Sequence, residues 1–76
     1  MEGRARQLMK QKRKELGWTQ EEVGSWINMD QSLYSKKERG VTELFADEWL
    51  EIMTQLEIHG RKPKPVKLPF KLELVS

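Results

Sequence analysis

Residues 19–40 read TQEEVGSWINMDQSLYSKKERG, and this stretch decides the fold. Thr19 is a favourable N-cap residue, and Glu22 three positions later completes a capping box. A short helix is therefore predicted to begin after Thr19. It is predicted to end at Asn28, because asparagine tolerates a positive φ better than most residues.

Asp30 is a second N-cap, and Gly40 is a typical helix terminator, so a further helix is predicted over Gln31–Arg39. Only two residues separate the two helices, and so short a turn makes them cross at a steep angle. Gly24 lies inside the first of them, where glycine costs about 1 kcal/mol relative to alanine. Either close approach of the two helices requires it, or it is a tolerated surface glycine.

Two longer helices are predicted on either side of this pair. The first runs from about Arg4 to Leu16 and stops at Gly17, a residue suited to the left-handed position after a helix. The other runs from about Glu43 to Leu56 and carries a broad apolar stripe that can close a core. The fold is thus predicted to be mainly α, with four helices in a domain spanning residues 1–60.

Residues 61–76 have a different character and are predicted to form an extended tail. Its first residues are rich in proline and cations, and beyond them apolar residues alternate strictly with others, as in a half-buried edge strand. The alternating residues are Leu68, Phe70, Leu72 and Leu74. The tail strand is expected to pair with that of a second subunit, or alternatively to fold back on its own domain or remain a flexible tail.

Composition narrows the function classes. The chain has 76 residues, a net charge of +2 and no cysteine, so disulfides, thiolate zinc sites and cysteine nucleophiles are excluded. With one histidine and no glycine-rich phosphate loop, we expect neither an enzyme nor a cofactor or metal site. No apolar run suggests a signal sequence or membrane span, so a cytoplasmic location is expected.

The charges are segregated along the sequence. Residues 1–39 carry +3, residues 40–57 carry −5 and residues 58–76 carry +4. This distribution either presents a basic face and an acidic back on one small body, or is ordinary solvated surface.

The segment from Lys10 to Ile58 resembles the lambda-repressor-like helix-turn-helix family, also called the Xre or Cro-repressor type. The resemblance rests on KRKELGWTQEEVG at residues 12–24 and on NMDQSLYSKKERG at residues 28–40. It implies a phage-type or bacterial transcription regulator that binds a palindromic operator in double-stranded DNA as a homodimer. An alternative is an antitoxin or phage protein whose domain mainly binds a protein partner, such as a toxin or host factor.

The resemblance also implies roles for individual residues. A recognition helix places its N-terminal residues at base edges in the major groove, while the preceding helix contacts the backbone. Base contacts are expected from Gln31, Ser32 and Lys36, with Leu33 and Ser35 as further candidates. Backbone contacts are expected from Thr19, Gln20, Lys37 and Arg39.

Finally, family precedent pairs Arg13 with Glu38 in a partly buried salt bridge between the first and third helices. The alternative is two unrelated exposed charges of little energetic consequence. Lys37 occupies a position that is usually aliphatic in the family, and its ammonium is expected to reach water or DNA along a packed stem.

Overall fold

The computed structural model describes residues 3–64, which form four helices joined by short connections. Their bounds are α1 (Gly3–Leu16), α2 (Gln20–Trp26), α3 (Gln31–Arg39) and α4 (Ala46–His59). The four helices expected from the sequence are therefore present.

The expectation of a strand-bearing tail as part of this fold is wrong for residues 3–64, which contain helices and connecting loops and no strand. The described start of the tail makes a helix-end contact instead, because the Lys62 amide donates to the Leu16 carbonyl oxygen at 2.8 Å. The expected strand and its apolar residues Leu68, Phe70, Leu72 and Leu74 lie outside the described residues.

The helix boundaries around α2 and α3 follow from the capping residues. The Thr19 hydroxyl accepts from the Glu22 amide, and the Glu22 carboxylate accepts from the Thr19 amide, which confirms the capping box. Asp30 caps α3 by accepting from the Leu33 amide at 2.7 Å, and Gly40 follows α3 with a φ of 85°. These groups satisfy backbone atoms that a helix end leaves unpaired.

The fourth helix begins three residues later than predicted, at Ala46 instead of Glu43, and continues to His59. Leu44 lies in the loop before α4, is 1% exposed and packs into the core. Because it is apolar, the sequence analysis placed it in the apolar stripe of the helix and began the helix too early. The Glu43 carbonyl oxygen accepts from the Lys37 ammonium at 2.9 Å, which connects this loop to α3.

Residues from all four helices and the α3–α4 loop meet in one small core. Its fully buried members are Met9, Val23, Tyr34, Leu44, Ile52 and Leu56. Two tryptophans fasten the ends of α4, since Trp49 Nε1 donates to the Ala5 carbonyl at 2.8 Å and Trp18 Nε1 donates to the Gly60 carbonyl at 2.7 Å. These bonds join α1 and the loop that follows it to α4, while α3 packs mainly against α1 and α2.

The α2–α3 turn is tight because it folds back on Gly24. Helix α2 ends at Trp26, two residues before the predicted Asn28, but Asn28 adopts the expected positive φ, at 58°. The Met29 amide donates to the Gly24 carbonyl at 2.9 Å. A Cβ on Gly24 would lie 2.6 Å from the Met29 carbonyl oxygen and 3.4 Å from Tyr34 Cβ. Close approach of the two helices, and not surface tolerance, explains this glycine.

We predict that Gly24→Ala lowers the free energy of unfolding by about 1–3 kcal/mol, because the new methyl group overlaps a backbone oxygen that cannot move freely. Urea denaturation followed by circular dichroism measures this change. Gly3→Ala is the matched control, since a Cβ there meets nothing within 4 Å. Equal stability of the two variants would contradict the close-packing explanation.

Candidate nucleic-acid interface

Helix α3 divides its side chains between the core and solvent. Tyr34, Lys37 and Glu38 are buried and share one face. The remaining residues are exposed or half-buried and define the outer face of α3: Gln31, Ser32, Leu33, Ser35, Lys36 and Arg39. The side chains expected to read bases thus lie on the solvent side of a helix whose other side is fixed in the core.

The outer face of α3 is polar with one apolar member. Leu33 is 40% exposed beside Ser32. Ser35 is half-buried, and its hydroxyl accepts from Arg39 Nε at 3.1 Å, so these two residues are bonded to each other along the helix. Lys36 is exposed one turn after Ser32. This surface offers donors, acceptors and a cation within a single nine-residue helix.

A buried ion pair sets the orientation of α3. Arg13 Nε donates to Glu38 Oε2 at 3.0 Å and Arg13 Nη2 donates to Glu38 Oε1 at 2.9 Å, a bidentate geometry. The third guanidinium nitrogen, Nη1, donates to the Trp18 carbonyl at 2.9 Å. Gln20 Nε2 adds a bond to Glu38 Oε1 at 3.1 Å. The pair implied by the resemblance is therefore the meeting point of α1, α2 and α3.

The electrostatics of this pair keep it charged. Burial opposes ionisation of Glu38, but hydrogen bonds from Arg13 and Gln20 outweigh that effect and hold the pKa of its carboxyl below the ordinary 4.5. The hydrogen bond to Glu38 raises the pKa of the Arg13 guanidinium. Burial, followed by the nearby Glu38 charge, raises the pKa of the Tyr34 phenol, which stays neutral beside the pair.

We predict that Glu38→Gln destabilises the fold by roughly 3 kcal/mol near pH 7, because it leaves a buried guanidinium without its counter-charge. Denaturation with urea measures the loss. Glu57→Gln is the matched control, since Glu57 pairs with Lys12 on an exposed edge. We expect the control variant to unfold close to the unsubstituted protein, and a loss of similar size in both variants would contradict the prediction.

The same pair predicts a pH dependence of stability. The carboxyl pKa of Glu38 is lower in the folded chain than in the unfolded chain. Its contribution is therefore complete above about pH 4.5 and is lost as the pH falls through the folded-state pKa. Unfolding measured from pH 7 to pH 3 tests this, and Glu38→Gln should show a shallower acid dependence. An unchanged slope in this variant would exclude Glu38 as the group responsible.

The expectation that Lys37 reaches solvent or a phosphate is wrong. The residue is 7% exposed, and its ammonium donates to the Glu43 carbonyl and to Glu48 Oε1, both at 2.9 Å. It also lies 5.7 Å from the centre of the Phe45 ring. These partners come from the α3–α4 loop and the first turn of α4, and they retain the cation inside the fold.

The start of α2 is more acidic than the resemblance suggests, and its polar groups are already hydrogen-bonded within the fold. The hydroxyl and amide of Thr19 are both used in the capping box, and the Gln20 amide group is bonded to Glu38. Glu21 and Glu22 add two carboxylates to the first turn. Lys62 offsets one of them by donating to Glu22 Oε2 at 2.6 Å.

Two cations to which the sequence analysis assigned no role lie beside α3. Arg6 donates to the Lys37 carbonyl oxygen and so satisfies an acceptor at the C-terminal end of α3. Arg6 and Lys10 line a groove between α1 and α3 together with Arg39. The sequence contained a signal for this position. Arg6 and Lys10 precede Arg13 by seven and three residues, a spacing that places all three on the same face of α1, the face that contacts α3.

Within residues 3–64, no group of histidine, cysteine, aspartate or glutamate side chains is arranged to hold a metal ion. In the same part of the chain, no helix is long and apolar enough to cross a membrane.

Comparison with known families gives a match over residues 9–59, described as helix-turn-helix. This match covers most of the chain, from the middle of α1 to the end of α4. The protein belongs to the helix-turn-helix family of the Xre, or lambda-repressor-like, type. Members of this family are DNA-binding regulator domains and not enzymes. Searches among curated proteins and among solved structures gave no match.

Proposed function

We propose that the protein is a sequence-specific transcription regulator that inserts the outer face of α3 into the major groove of double-stranded DNA. The observation that carries the proposal is the division of α3. Its buried side is fixed by Tyr34 and by the Arg13–Glu38 pair, and its exposed side carries the polar residues. A major groove about 12 Å wide accepts one helix in this way.

The proposed base contacts come from the first turn and the middle of α3. Gln31 can bond to both N6 and N7 of an adenine, and Lys36 can donate to O6 and N7 of a guanine. Leu33 provides an apolar contact for a thymine methyl group. Ser32 and Ser35 supply hydroxyls that both donate and accept, so they fit a base edge or a phosphate.

The proposed backbone contacts flank these residues. Arg39 and Lys10 lie along the α1–α3 groove, where cations can neutralise phosphates on one strand. Thr19 and Gln20, at the start of α2, are assigned to the phosphates on the other side of α3, as in helix-turn-helix docking. The donors are the Thr19 hydroxyl hydrogen and the second hydrogen of the Gln20 amide, because the bonds to Glu22 and Glu38 do not use them. Contacts of this kind position the helix without selecting a sequence.

Binding by two copies is part of the proposal. A helix of nine residues is about 13 Å long and faces roughly four base pairs, which is too few to single out an operator. Two copies related by a two-fold axis would present two α3 helices about 34 Å apart. The expected operator is then a palindrome with half-sites one helical turn apart.

Selection of bound duplexes from a random pool tests the function directly. We expect enrichment of a two-fold symmetric motif by the full chain. No affinity for any duplex at low salt would refute the proposal. Retention of a protein partner without duplex binding would favour the alternative hypothesis of an interaction domain.

We predict that Lys36→Ala changes base preference at one position of each half-site by about 1–3 kcal/mol. The exposed ammonium is assigned to a base edge, so its loss should relax selection at that position and leave the others unchanged. The same random-pool selection, performed with the variant, measures this. An unaltered motif would remove Lys36 from the base contacts.

We predict that Lys10→Ala weakens binding to all duplexes alike and lowers the slope of log affinity against log salt by about one. Fluorescence anisotropy at several salt concentrations measures the slope. Lys12→Ala is the matched control, because it removes the same charge from α1 on the side that pairs with Glu57 of α4. Equal slopes for the two variants would exclude the α1–α3 groove as a phosphate site.

A further inference from the structure

A partly apolar groove lies on the side of the domain away from α3. Helices α1 and α4 run in the same direction, with Ala5 bonded to Trp49 near one end and Lys12 bonded to Glu57 near the other. The groove between them is lined by Leu8, Gln11, Lys12, Glu15, Leu16 and Met53. Leu8 is 47% exposed, and Leu50, one turn before Met53, is 60% exposed.

The described chain ends beside this groove. After α4 the chain turns back onto the C-terminal end of α1, where Arg61 Nη1 donates to the Glu15 carbonyl at 3.0 Å and the Lys62 amide donates to the Leu16 carbonyl at 2.8 Å. Lys64 lies against the same corner, in a depression that it shares with Leu16 and Gly17. Leu16 lines both this depression and the α1–α4 groove, so the described chain ends next to one end of the groove.

The remaining sequence fits the groove in length and in chemistry. From Leu16 to Leu8 the groove follows eight residues of helix, about 12 Å, which about four residues of extended chain can span. Twelve residues follow Lys64, and every second one from Leu68 to Leu74 is leucine or phenylalanine. Apolar residues spaced by two along an extended chain point to the same side.

Charge also favours this placement. Residues 40–57, which include most of α4, carry −5, whereas residues 65–76 carry +1. Of the three charged residues after Lys64, only Glu73 is acidic; Lys67 and Lys71 alternate with the apolar positions. An extended segment with its apolar side on the groove therefore brings its cations alongside acidic α4.

We propose that the segment Pro65–Ser76 occupies the α1–α4 groove of its own chain, with Leu68 and Phe70 packed on Leu8, Leu16 and Met53. The segment then covers apolar surface that α1 and α4 leave open. This assignment does not depend on DNA binding, because the groove lies apart from α3.

The absence of cysteine allows a single spin label to be placed on the full chain. In the variant Lys71→Cys carrying a nitroxide, we expect several-fold loss of amide signal intensity for residues around Leu8 in α1 and Met53 in α4. Amides of α3 should keep their intensity. Loss spread evenly over the domain, or confined to the corner at Leu16, would overturn the proposal.

Two controls make the result specific. Adding Leu68→Ser and Phe70→Ser to the labelled chain should restore the α1 and α4 signals, whereas adding Val75→Ser, which is out of step with the alternating apolar positions, should leave them weakened. Mixing the spin-labelled chain at natural abundance with a nitrogen-15 chain that lacks the label separates the two possible origins of the segment. Signal loss in that mixture would show that a second copy supplies it, which contradicts placement within one chain.

Discussion

The bidentate pair between Arg13 and Glu38 is the contact on which the presentation of α3 depends. It joins α1 to α3 through 2.9 and 3.0 Å bonds, and Gln20 and the Trp18 carbonyl extend it to the start of α2. Burial makes such a pair costly to form, but bonds to nearly every polar atom offset that cost. Because the pair lies on the inner side of α3, it fixes how the helix is rotated about its own axis. That rotation determines the direction in which the side chains on the outer face of α3 point.

The distribution of charge follows from which cations the fold retains and which it leaves free. Lys37 is buried against Glu43 and Glu48, and Lys62 is paired with Glu22, so neither contributes much to the surface potential. Lys36 and Lys10 remain exposed on the α3 side of the molecule. Most of the acidic residues of the chain's middle part lie on α4, separate from these exposed cations. A net charge of only +2 is therefore compatible with a surface suited to a polyanion.

Local chemistry accounts for what could be predicted from sequence. The caps at Thr19 and Asp30, the turn at Asn28 and the stop at Gly40 involve groups within a few residues of each other, so their pattern is readable in the chain. Lys37 was misjudged because its partners lie in a loop and a helix whose positions depend on the whole fold. The same holds for the start of α4, where Leu44 enters the core from a loop. The exposed face of α3 was predictable because the resemblance had already assigned Glu38 to the side that faces α1.

The separation of the two sides of α3 has an evolutionary consequence. Gly24 has room only for a hydrogen atom, and both carboxylate oxygens of Glu38 are hydrogen-bonded, so changes at these positions damage the scaffold whatever DNA the protein encounters. Gln31, Ser32 and Lys36 contribute little to folding, since they face solvent. Substitutions at these three positions can accumulate without loss of the native state. Paralogues descended from such a domain can therefore differ on this exposed surface while sharing one architecture.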